Sequence, residues 1–74
     1  MRRFEDRAGR LWDVVVGRES WGANYALFVP TGSEDSVRQT VLRSASVEDA
    51  ATELDEMADD ALQKLLDVSA IKEN

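Results

Sequence analysis

Neither cysteine nor histidine occurs in this chain. Their absence removes the thiolate and the imidazole, the side chains most used for nucleophilic, acid–base and metal chemistry near neutral pH. It also excludes disulfides and any metal site built on thiolate or imidazole ligands. Long apolar runs are missing as well. The longest, Tyr25 to Val29, has five residues and is far too short to cross a bilayer. The opening Met1-Arg2-Arg3-Phe4-Glu5-Asp6 leads into charge, not into the apolar stretch of a signal peptide. A cytoplasmic location is therefore the expectation.

What is present is enough for one small core. The chain has 74 residues, of which 43% are apolar, an ordinary share for a folded domain. A domain this short buries roughly 60% of the surface its unfolded chain exposes, so it depends on good packing or on a partner. Charge is divided unevenly along it. Residues 1–43 carry seven arginines against six carboxylates, a net of +1, while residues 44–74 carry two lysines against nine carboxylates, a net of −7. A chain with a net charge of −6 is repelled by phosphate backbones and anionic lipid, which disfavours direct nucleic-acid binding.

The pattern predicts α+β: a four-stranded antiparallel meander with a C-terminal helix or helical hairpin packed on one face. A single domain spans 1–74, with strands within 2–43, a helical region over 46–69 and a frayed tail over 70–74. Phe4 to Trp12 reads as a hairpin in which Asp6 opens the turn through its side chain and Gly9 takes a left-handed position. Trp12, Val14 and Val16 alternate with Leu11, Asp13 and Val15, which argues for a strand. Asn24 to Val29 and Val37 to Arg43 read as two more. Gly17 to Gly22 brackets a connection. From Ser46, a candidate N-cap with Asp49 three residues on, the period becomes helical. Val47, Ala51, Leu54, Ala58, Ala61, Leu65 and Val68 form one stripe, flanked by Ala50, Met57, Leu62 and Leu66. A break near Ala58, with Asp59 and Asp60 capping a second helix, is expected because Leu62, Leu65 and Leu66 cluster better than the alanine-rich middle.

Little here carries chemistry. No nucleophile elbow, phosphate-binding glycine loop or Ser-x-x-Lys motif occurs, so the chain is not expected to be an enzyme and no cofactor is called for. Carboxylates do pair at helical spacing, Asp55 with Asp59 and Glu56 with Asp60, but a solvated helix face explains them. Trp12 shares its face with two valines and belongs in the core. Arg2, Arg3, Arg7 and Arg10 read as edge charges that discourage sheet-to-sheet association.

The opening Phe4-x-Asp6-x-x-Gly9-x-x-Trp12, followed by further strands and a helical end with Leu62-x-x-Leu65-Leu66, resembles small stand-alone bacterial proteins. The resemblance implies a ββββα-type fold and a bacterial cytoplasmic setting. It transfers no active site, ligand or partner.

The leading functional expectation is a small protein–protein interaction module, an accessory subunit or adaptor that docks on a larger complex, including one attached to the cytoplasmic side of a membrane. More strand positions are apolar than one face can hide. Leu11, Val15, Ala26 and Phe28 are grouped on one side, opposite Trp12, Val14, Val16, Tyr25, Leu27 and Val29, and an apolar patch left open marks a partner or self-association surface. The residues expected to bind are Leu11, Val15 and Phe28 on the sheet, with Arg18, Glu19 and Trp21 in the Gly17–Gly22 connection. The alternative is an acidic regulator that mimics nucleic acid through its carboxylate-rich helical end.

Overall fold

A computed structural model describes residues 2–18, 23–32, 36–43 and 46–72. Strands β1 (Arg2–Glu5), β2 (Leu11–Arg18), β3 (Asn24–Pro30) and β4 (Arg38–Leu42) run in sequence order. Helices α1 (Val47–Glu56) and α2 (Asp59–Val68) follow, and a two-residue strand β5 (Ala70–Ile71) returns to the edge of β4. All neighbouring strands are antiparallel. The meander is therefore as expected, but the sheet has five strands, not four.

The fifth strand replaces what reads as a frayed tail, and side chains outside it explain its place. Arg38 donates from Nε to Ser69 Oγ at 2.8 Å and from Nη2 to the Ser69 carbonyl at 2.7 Å, holding the chain as it leaves α2. Lys72 N–H then reaches the Val37 carbonyl at 2.8 Å. Thr40 Oγ1 donates to the Leu65 carbonyl at 2.9 Å, so β4 also satisfies a helix-end acceptor that has no partner within the helix. A two-residue strand carries almost no pairing energy of its own, and these anchors decide where it lies.

The first hairpin is organised by Asp6, which is buried although charged. Its Oδ1 accepts from the backbone N–H of Ala8 at 2.9 Å and of Arg10 at 2.8 Å. Its Oδ2 accepts from the Trp12 indole at 2.9 Å and from Arg10 Nε at 3.2 Å. Gly9 takes φ +84°, the left-handed region where a side chain is strained, and its N–H returns to the Asp6 carbonyl at 3.0 Å. The Phe-x-Asp-x-x-Gly-x-x-Trp spacing is thus a turn whose aspartate locks the tryptophan behind it.

Trp12, Val14, Ala26, Phe28, Leu42 and Phe4 face the helices and meet Ala50, Leu54, Leu62 and Leu66 in one cluster. Phe28 lies at its centre. Its ring stands edge-on to Trp12 and to Phe4, with centroids 6.4 Å away in both cases. Offset edge contacts of this kind suit the aromatic quadrupole.

The break between the helices falls where expected. Ser46 caps α1 by accepting from Asp49 N–H at 3.1 Å. Met57 ends that helix, and Ala58 occupies the N-cap of α2, so Asp59 and Asp60 lie in the first turn, where their charge complements the helix dipole. Arg2 fastens the break to β1, donating from Nη2 to the Met57 carbonyl at 3.2 Å and to Asp59 Oδ1 at 2.6 Å. The continuous stripe read along 47–68 does not survive this break, because a break resets the helical phase. Ala50 and Leu54 face inward from α1 and Leu62 and Leu66 from α2, while Val47, Ala58 and Val68 are exposed.

Candidate functional site

Both helices pack against the same side of the sheet, so the other side carries no layer among the described residues. Which residues occupy that open side follows from register. Val14 pairs with Phe28, Val16 with Ala26 and Trp12 with Pro30, which places Phe28 and Ala26 on the covered face. Val15 pairs with Leu27, Asp13 with Val29 and Gly17 with Tyr25, and these belong to the open face. Across β4, Leu27 pairs with Gln39 and Tyr25 with Val41, extending it. Leu11 and Val41 are 44% and 58% exposed there, while Val15, Tyr25, Leu27 and Val29 shelter one another and are half-buried.

The two strands thus join in the opposite phase to the one expected. Alternation within β2 and within β3 is as read, but the sets of the two strands are exchanged relative to each other. Phe28 is fully buried under the helices and cannot be a docking residue in this fold. Leu11 and Val15 do come together on the open face, with Tyr25, Leu27, Val29 and Val41. Arg18 is exposed at the end of β2 but shares the parity of Trp12, Val14 and Val16, so it falls away from that face. Glu19 and Trp21 lie outside the described residues.

Gly17 offers a signal that the sequence carries and that reads only as a loop bracket. It lies inside β2, and a Cβ there would come within 2.6 Å of Leu27 Cδ1. The missing side chain leaves the room that the Leu27 side chain fills beside β2 on the open face. At its β1 edge the face is polar, with Arg3 Nε donating to Asp13 Oδ1 at 3.2 Å. A mostly apolar centre with a charged border is the usual anatomy of an interaction surface.

On the covered side, a groove of about 760 Å³ opens beside the first hairpin. Its walls are the Asp6–Arg10 turn, the end of α2 with Gln63, Leu66 and Asp67, and the β4–β5 edge with Arg38 and Ile71. Trp12 contributes to the floor, and the Arg10 guanidinium stands 5.8 Å over its ring. Burial disfavours the Asp6 charge and would raise its pKa. Hydrogen bonds from the Trp12 indole and the Arg10 and Ala8 amides, with the Arg10 charge, outweigh burial and hold it below the ordinary carboxylate value. Asp6 is therefore an anion committed to structure, and it has no proton to exchange near neutral pH. Among the described residues no cluster of carboxylates is arranged to hold a metal ion.

Among the described residues no helix is long and apolar enough to cross a membrane. Comparison with protein-family models, with curated proteins and with solved structures gives no match.

Proposed function

We propose that this chain is a small non-catalytic protein–protein interaction module, an accessory subunit or adaptor that docks on a larger bacterial complex in the cytoplasm through the open face of its sheet. One observation carries the reading. The helices cover one face, and Leu11, Val15, Tyr25, Leu27, Val29 and Val41 line the other, with no layer over them among the described residues. Apolar area of that kind gains roughly 25 cal/mol for each Å² removed from water, so a complementary surface is stabilised by covering it.

A second reading draws on the helices. All eight carboxylates of α1 and α2 are exposed, Glu48, Asp49, Glu53, Asp55, Glu56, Asp59, Asp60 and Asp67. Such a surface suits an acidic regulator that imitates nucleic acid and occupies a basic site. Salt separates the two, because exposed charge pairs are screened while apolar burial is not.

The test is isolation of the tagged protein from native extract at low and high salt, beside a Val41→Glu variant. Val41 is exposed, so the substitution alters the face and spares the core. A stoichiometric partner that persists at high salt and is lost with Val41→Glu supports docking through the sheet. A partner that salt alone removes favours the acidic helices. A monomer with no partner under either condition contradicts both.

A further inference from the structure

We infer that the groove between the first hairpin, α2 and β5 is a recognition site for a single carboxylate carried on an apolar group, with Arg38 as the positioned cation. The inference stands apart from the docking reading, since it uses the covered side of the sheet.

Among the described residues the charges of the groove are Arg7, Arg10 and Arg38 against Asp6 and Asp67. Two of the arginines are matched. Arg10 pairs with Asp6 at 3.2 Å and Arg7 with Asp67 at 3.5 Å, and Asp67 also accepts from Gln63 at 2.9 Å. Arg38 differs. It is half-buried, and among the described residues no carboxylate pairs with it. Its partners are the neutral oxygens of Ser69. The end of α2 beside it supplies only about half a negative charge through the helix dipole. Among the described residues one positive charge is thus left over, on a guanidinium already held by two hydrogen bonds.

That arrangement selects the ligand's chemistry. Arg38 bonds Ser69 through Nε and Nη2, which leaves Nη1 to receive a carboxylate oxygen. One excess charge matches a monoanion. A phosphate dianion would meet Asp6 and Asp67 on either side, and like charge in a groove is unfavourable. Leu66 and Ile71 supply apolar lining in the same groove, which suits a hydrocarbon body. A chain end with an apolar last residue and a free apolar acid share this chemistry.

The test is an NMR titration of the whole protein with N-acetyl-leucine, following the Trp12 indole and Arg38 Nε signals, with N-acetyl-leucine amide as control. Saturable shifts with the acid and none with the amide are expected. Arg38→Gln abolishes them. Because Arg38 also anchors β5, the exposed Ile71→Glu serves as the second variant; it brings a competing carboxylate to the groove and is expected to abolish binding with the fold intact. Asp67→Asn tightens binding about threefold, the effect of removing one unit charge several ångströms away in water. A five-residue peptide ending in leucine that binds at least tenfold tighter than N-acetyl-leucine identifies a chain end as the source, and equal affinity identifies a free acid. The inference is overturned by an absence of saturable shifts, by equal shifts with the amide, or by tighter binding of inorganic phosphate. It is also overturned if binding emerges only in Glu34→Gln/Asp35→Asn, which would give the place beside Arg38 to the chain's own acids.

Discussion

Replacing Asp6 with alanine removes the acceptor for four donors at once, and the structure says what each loss costs. The Trp12 indole N–H sits on a side chain only 2% exposed, so it loses its partner where water is excluded. An unpaired buried donor costs about 1–3 kcal/mol. The amides of Ala8 and Arg10 lie in an exposed turn and recover part of their bonding from water, costing about 0.5–1 kcal/mol each. The ion pair with exposed Arg10 adds less than about 1 kcal/mol. Together these give a loss of about 2–6 kcal/mol. A domain of this size lies at the low end of the usual stability of about 5–15 kcal/mol. The corresponding fall in Tm is about 4–8 °C for each kcal/mol lost. Urea and thermal unfolding followed by far-UV circular dichroism measure it. A loss under about 1 kcal/mol would show that Gly9 and the backbone bonds hold the hairpin unaided, and would refute the central place given to Asp6. The charge itself is tested by pH. Because the folded pKa is depressed, the stability due to ionised Asp6 is fully present above the unfolded value of about 3.9 and is lost as pH falls through the folded value. The gap in stability between the native protein and Asp6→Asn should therefore be widest near neutrality and shrink steadily below about pH 4. A gap that stays constant down to pH 2 would mean the charge contributes nothing.

Trp12→Ala and Phe28→Ala are each expected to cost about 3–5 kcal/mol, the range for aromatic truncation in a core, while Val41→Ser stays within about 0.5 kcal/mol. Matching losses for Phe28 and Val41 in urea titrations would overturn the assignment of the two faces. Ser69→Ala withdraws the hydroxyl that Arg38 grips, and hydrogen exchange at the Lys72 amide should accelerate at least tenfold with β2 and β3 amides unchanged. Unchanged exchange at Lys72 would show that β5 holds by pairing alone.

The order of strands and the break at Ala58 are readable because they rest on local signals. Alternation, Gly9 after Asp6 and the weak apolar middle of the helical region each act within a few residues. The composition of the two faces is not readable in the same way. It depends on the pairing of β2 with β3, which no pattern within either strand specifies. A shift of one residue exchanges a strand's whole set of side chains between core and surface, which is the fate of Ala26 and Phe28 here. Gly17 in a strand, across from Tyr25 and beneath Leu27, was the clue to where the backbone needed room. The fifth strand was illegible for another reason. Ala70-Ile71 has no pattern of its own and is placed by Arg38, thirty-odd residues earlier in the chain. Arg38 itself, on the inward parity of β4 with Thr40 and Leu42, was the visible anomaly that marks both the helix anchor and the groove.

The open sheet face is the central claim, and footprinting tests it most directly. Side chains would be labelled by a small reactive probe in the isolated protein and in the complex recovered from native extract. Leu11, Tyr25, Leu27, Val29 and Val41 should label in the free chain and become protected in the complex, with the exposed side chains of α1 and α2 unchanged. Protection confined to the helices, with the sheet face labelled equally in both states, would contradict the account.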